Sequence, residues 1–203
     1  MYRPEPISSS CLIKEGGRVW YRPGFIPPEK AGELFHKLLQ NTSWAQDTIK
    51  MYGREIITRR KVAWYGDRPF DYSYSGHSRL ALPWTQELLS LRSLAEDACE
   101  TSFNACLLNL YHDGSEGMGW HSDDERSLDP LAPVASVSFG EARRFLFRLR
   151  SNHLVKAEVL LESGSLLLMD AICQQNWQHS LPPASKKKGP RINLTFRRMK
   201  DLP

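Results

Sequence analysis

From residue 103 onward the chain breaks into short runs of β-branched, aliphatic and aromatic residues, at 103–111, 134–139, 144–149, 154–161, 165–169, 177–179 and 191–197. Glycine and proline separate most of them. The pattern therefore predicts antiparallel strands in a sandwich or barrel rather than a βαβ fold. Upstream, two helices are expected. One starts at Pro27-Pro28 and carries Ala31, Leu34, Phe35, Leu38 and Leu39 on one stripe to about residue 40. The other follows Pro83, with Trp84, Leu88, Leu91, Ala95 and Ala98 on one face. The fold class is α+β: helices first, then an antiparallel double sheet. Residues 1–17, rich in Pro, Ser and Gly, read as a loose lead-in to a single domain over 18–203. The 203 residues suit one large domain.

Composition excludes several classes. No apolar run approaches the ~20 residues of a membrane helix, and the first residues lack the charged-then-apolar pattern of a secretory signal. Cys11, Cys99, Cys106 and Cys173 show no C-x-x-C spacing, so reduced thiols in a cytoplasmic or nuclear, non-secreted protein are expected. Seven of the 27 basic residues fall between Lys186 and Lys200 with no acid among them, leaving 20 against 23 acidic residues elsewhere. Arg54, Arg59, Arg60 and Lys61 make a second basic cluster beside Glu55. Such patches fit a polyanion partner or a solvated face. With no long exposed apolar stripe, a monomer is expected.

Residues 46–80 mix strand-like pieces with basic residues, aromatics and glycines and lack a clean apolar stripe. They read as a partly exposed surface element rather than core.

The chemistry concentrates in Gly119-Trp120-His121-Ser122-Asp123-Asp124-Glu125. In a strand-like segment His121 and Asp123 point the same way. With a distant third ligand, for which His179 is well placed at the end of a predicted strand, they form a two-His-one-carboxylate set. That set leaves positions open on Fe(II). The bland alternative is a surface acid pair beside a turn-capping His. A second pattern is Arg191-Ile192-Asn193-Leu194-Thr195-Phe196-Arg197, whose alternation puts Arg191, Asn193, Thr195 and Arg197 on one face. Burying two guanidinium groups without an acceptor is costly. A dicarboxylate would supply bidentate acceptors, and so would protein acids such as Glu158 or Glu162. Asn109 and Tyr111, also two apart on a strand, could add donors.

Together, His121-x-Asp123, His179, Arg191-x-Asn193-x-x-x-Arg197 and Asn109-x-Tyr111 resemble the AlkB family of Fe(II)- and 2-oxoglutarate-dependent dioxygenases. The resemblance runs from roughly residue 45 to 199. It is closest to the nucleic-acid demethylase branch that includes the eukaryotic AlkB homologues 2 and 3, through HSDDE, PVASVSFG and PRINLTFRR. It implies a double-stranded β-helix (jelly-roll) core with the N-terminal helices packed on one sheet and a nucleotide-recognition flap at 46–80. It also implies Fe(II) on His121, Asp123 and His179, with 2-oxoglutarate and O2 as cosubstrates. Arg191, together with Tyr111, would hold the distal carboxylate, and Asn109, Asn193, Thr195 and Arg197 would line the rest of that site.

Further implied are a base pocket from Tyr72, Ser73 and Tyr74 and a carboxylate beside a cationic base from Asp124. Glu125 follows it, with an ion pair to Arg126 or Arg144 as the bland alternative for either acid. Met51-Tyr52-Gly53 stands where duplex-active relatives carry a finger that fills the gap left by a flipped base. Arg54, Arg59, Arg60 and Lys61 would meet phosphates. The activity implied is oxidative demethylation of N-alkylated bases (1-methyladenine, 3-methylcytosine) in single- or double-stranded DNA, with release of formaldehyde, succinate and CO2. Rival readings keep the fold but act on RNA, tRNA or protein, bind nucleic acid without catalysis, or belong to a cupin-like enzyme.

Overall fold

The computed structural model describes residues 11–51, 54–74, 77–184 and 187–200. Its elements run β1 (Cys11–Ile13), β2 (Val19–Arg22), α1 (Pro28–Asn41), β3 (Ala45–Met51), β4 (Arg54–Gly66), β5 (Asp71–Tyr74), β6 (His77–Leu80) and α2 (Gln86–Cys99). There follow β7 (Ala105–Tyr111), β8 (Met118–His121), β9 (Val134–Gly140), β10 (Arg143–Leu149), β11 (Lys156–Leu161), β12 (Ser165–Met169), α3 (Ala171–Asn176), β13 (Trp177–Leu181) and β14 (Arg191–Arg197). An eight-stranded sheet has the order β1-β2-β12-β9-β14-β7-β4-β3, a four-stranded sheet the order β11-β10-β13-β8, and β5 pairs with β6. This is the expected α+β jelly roll.

Alternation decides which face of the large sheet each residue meets. Ile192, Leu194 and Phe196 on β14 join Leu108, Leu110, Val137 and Phe139 in a core under the two helices. Each such side chain, fully buried, contributes roughly 1.5–3 kcal/mol. α1 presents Ala31, Leu34 and Leu38 to this core, and α2 presents Leu88, Leu91, Ala95 and Ala98. Thr85 caps α2 by accepting from the Leu88 N–H at 3.3 Å, so Trp84 precedes the helix instead of opening it. A second core, including Val134, Leu167 and Met169 from the large sheet and Phe147, Leu161 and Trp177 from the small one, closes one end of the sandwich. The other end stays open as the site.

Two segments differ from their sequence reading. Within 1–17, Cys11–Ile13 pairs with β2 and buries Ile13, and the Glu15 carbonyl accepts from the Trp177 indole at 3.0 Å. Short polar punctuation hid a three-residue strand that pairs with its sequence neighbour β2. The 46–80 segment is also more than a surface element. Val62, Ala63, Trp64 and Tyr65 on β4 are buried, because β4 pairs along its second half with β7. Its basic flank masked that run.

Candidate active site

The small sheet delivers the histidines. β13 pairs with β8 so that His179 lies directly opposite His121, with a bulge before the Leu181–Met118 pair. The Gly119 carbonyl, in the bulge, lies 2.8 Å from His121 Nδ1. A carbonyl only accepts, so Nδ1 carries the proton and Nε2 keeps its lone pair for a ligand. His179 Nε2 is 3.1 Å from His121 Nε2 and 4.0 Å from Asp123 Oδ2. One ligand atom from each of the three falls within 4.8 Å of the others. His179 is 3 % exposed, with Phe145 stacked on its ring at 5.2 Å. Burial first, then His121 and Arg197, hold its pKa well below the usual imidazole range, so it is neutral and able to ligate.

Asp123 reaches this point differently from the sequence reading. β8 ends at His121, and Asp123 lies beyond it. The Asp123 N–H donates to Gln174 Oε1 at 2.9 Å, and Arg197 Nη2 donates to Asp123 Oδ1. One carboxylate oxygen is thus held by Arg197 while the other faces His179. Arg197 Nη1 also donates to Glu125 at 3.3 Å, which makes this arginine a clamp on the acids as well as part of the cavity wall. Sequence reasoning missed Gln174, since α3 has no periodic signature. Its only hint is a polar pair, Gln174-Gln175, in a short segment between strands.

The large sheet supplies a polar wall by register. Arg191 pairs with Tyr111, Asn193 lies between Asn109 and Ser138, and Thr195 lies between Leu107 and Ser136. Arg191 Nη2 donates to Ser138 Oγ and Asn193 Oδ1, each at 2.9 Å, and Asn193 Nδ2 donates to Thr195 Oγ1 at 2.8 Å. The guanidinium lies 5.5 Å from the Tyr111 ring centroid. Ser136 and Ser138 were legible but unassigned, as alternate residues of the VASVSFG run.

Among the described residues no carboxylate pairs with Arg191, which is 2 % exposed. Glu158 pairs with Arg144 instead. Burial pushes the Arg191 pKa down to about 10, against the opposing effect of Tyr111. Arg191 Nε and Asn109 Oδ1 are buried without hydrogen-bond partners. A buried cation with an unused donor fits the distal carboxylate of 2-oxoglutarate, as the His pair and Asp123 fit Fe(II). Both ends line one cavity of about 380 Å3.

At the rim, Asp124 pairs with Arg150 at 2.5 Å and Glu125 with Arg197, not with Arg126 or Arg144. Tyr52 and Gly53 lie outside the described residues, as do the side chains of Met51, Arg54, Tyr72, Ser73 and Tyr74. Among the described residues the basic side chains do not form continuous patches. Arg59 pairs with Asp113 at 3.0 Å, and Arg60 turns into the cavity lining. Lys188 pairs with Glu141 and Arg198 with Asp129, while Arg191 and Arg197 are buried.

A sequence profile of the 2OG-Fe(II) oxygenase superfamily matches residues 18–197. The chain belongs to this family. This oxygenase therefore works with Fe(II), 2-oxoglutarate and O2. It is 34 % identical to the alpha-ketoglutarate-dependent dioxygenase alkB homolog 3 of Bos taurus, over 96 % of this chain and 67 % of that one. It is 36 % identical to the DNA oxidative demethylase ALKBH2 of Homo sapiens, over 84 % of this chain and 69 % of that one. The solved structure of OsALKBH1 shares the fold, with a TM-score of 0.65 and 18 % identity over 92 % of this oxygenase and 99 % of that chain. No helix among its described residues is long and apolar enough to cross a membrane.

Proposed function

We propose that this oxygenase oxidatively demethylates N-alkylated nucleobases in DNA, with 1-methyladenine and 3-methylcytosine as substrates, and acts as a monomer in DNA alkylation repair. The observation that carries the reading is a single cavity joining a His-His-Asp cluster to a buried arginine that has no acid partner among the described residues. The relative named a DNA oxidative demethylase supplies the substrate class.

With Fe(II) and 2-oxoglutarate bound, the site would supply O2-dependent oxidation of the N-linked alkyl group, the keto acid becoming succinate and CO2 and the methyl carbon leaving as formaldehyde. The chain's own residues bind and orient. His121, Asp123 and His179 would hold the metal, with Gly119, Gln174 and Arg197 fixing their orientation. Arg191 would grip the distal carboxylate against Tyr111, and Asn109, Asn193 and Thr195 would wall the cosubstrate. Phe145, packed on His179, keeps bulk water from that imidazole. Tyr72, Ser73 and Tyr74 would form the base pocket. A cationic base would be drawn to Asp124 and Glu125, competing there with Arg150 and Arg197. Met51, Tyr52 and Gly53 would meet the strand around the extruded base.

Mass spectrometry of a single-stranded oligomer carrying one 1-methyladenine tests this. Incubation with Fe(II), 2-oxoglutarate, ascorbate and air should remove the methyl mass, and omission of iron should prevent it. Succinate formed while every methylated DNA and RNA oligomer stays intact would refute the substrate; loss of methyl from RNA alone would move it to RNA.

A further inference from the structure

Outside the cavity, the outer face of the small sheet carries an arginine with no countercharge among the described residues. On β10, Phe145, Phe147 and Leu149 face the core, so Arg144, Leu146 and Arg148 face outward. Arg144 is neutralised by Glu158. Arg148 pairs with no carboxylate among the described residues. Its guanidinium lies 4.4 Å from the Trp120 ring centroid, and its Nε donates to Gln178 Oε1 at 2.9 Å. A guanidinium held by Gln178 thus lies over one face of the half-buried indole. Next to it, Arg150 donates to Ser122 Oγ and Asp124. Ser122, Gln178 and Arg150 also line the mouth of the active-site cavity, so the two regions are continuous.

We infer that this surface around Trp120 and Arg148 binds the unpaired strand flanking the target base, one base stacking on the ring–guanidinium pair and its phosphate meeting Arg148 and Arg150. The inference rests on the nucleic-acid reading above and narrows it to single strands. A base inside a duplex has both faces covered by its neighbours. Only an unpaired one can lie flat on a lateral platform, and stacking on aromatic or guanidinium planes is how single strands are held. An unneutralised arginine supplies the phosphate contact.

The test measures fluorescence anisotropy of a labelled, unmodified oligothymidylate across a salt series. Trp120→Ala should weaken binding roughly tenfold, while Trp120→Phe keeps most of it. Arg148→Gln should lower the salt slope by about 0.7, the value for one phosphate contact on a single strand. Arg144→Gln should bind as the parent does, and a duplex of equal length should not distinguish any of these proteins. Parental affinity and slope in Trp120→Ala and Arg148→Gln would overturn the inference. So would a loss confined to a glutamate-rich peptide, which would assign the surface to a protein. If strand binding falls as expected but no methylated oligomer is repaired, the surface stands and the demethylase reading fails. If repair proceeds and the variants bind as the parent does, the reverse holds.

Discussion

Arg191 offers a test in which stability and function move in opposite directions. Its pKa falls from 12.5 to about 10 on burial, equivalent to roughly 3 kcal/mol against the charged form. The folded-state pKa is depressed, so this cost is present in full below about 10 and is relieved only as pH rises toward 12.5. At neutral pH the protein without cosubstrate carries all of it. Arg191→Met removes the charge. It also removes donors to Ser138 and Asn193. Asn193 Oδ1 still accepts from Ser136 at 2.8 Å, so the Ser138 hydroxyl is the main group left short. That loss costs about 1–2 kcal/mol. The net is a stabilisation of about 1 kcal/mol, or a rise in Tm of roughly 2–4 °C for a chain of this size. Scanning fluorimetry with Mn(II) and saturating 2-oxoglutarate should then raise the parent's Tm and leave the variant's unchanged, since only a ligand that binds the folded state stabilises it. Arg191→Lys keeps charge without the fork and should fall between. An equal 2-oxoglutarate shift in Arg191→Met would refute the anchor, and a large drop in its own Tm would refute the estimate of burial cost.

Other residues give narrower predictions. His179 has a folded pKa far below its unfolded value near 6.5, so the unfolded chain binds the extra proton and stability falls as pH drops below about 6.5, by at most ~1.4 kcal/mol per unit. Urea melts of the metal-free protein between about pH 5 and 7.5 should show this slope, and His179→Gln should flatten it. Gln174→Leu frees the Asp123 N–H and should weaken Mn(II) binding about 10–100-fold in titration calorimetry, the usual effect of losing an outer-shell partner. Gly117→Ala would put a Cβ 2.4 Å from the Leu181 carbonyl oxygen, so it should lower stability by about 2–3 kcal/mol in denaturant melts.

Sequence alone revealed what repeats locally. β12 and β14 begin and end where alternation and punctuation place them, because both faces of each strand meet fixed environments. The polar face of Arg191, Asn193 and Thr195 was visible for the same reason. Its partners across the sheet were not, since Ser136 and Ser138 become neighbours of β14 only through register. Likewise, nothing near Arg197 in the chain indicates that it holds Asp123, 74 positions away. The second half of β4 was obscured by a different effect. Arg59, Arg60 and Lys61 lead straight into Val62–Tyr65 positions that β7 buries, and charge at a strand's entry says little about its exit.

The strand β14 carries the proposed carboxylate anchor at its first residue and the clamp on the metal-site acid at its last. Six residue steps of about 3.3 Å separate them, and neighbouring strands on both sides pin that interval. The site is therefore graduated like a ruler whose marks are peptide units. Side-chain exchange along it can alter how tightly a keto acid is held, but the spacing of anchor and clamp is written into the backbone, and changing it on the same face would take two inserted or deleted residues, since one would turn the far end to the opposite face of the sheet.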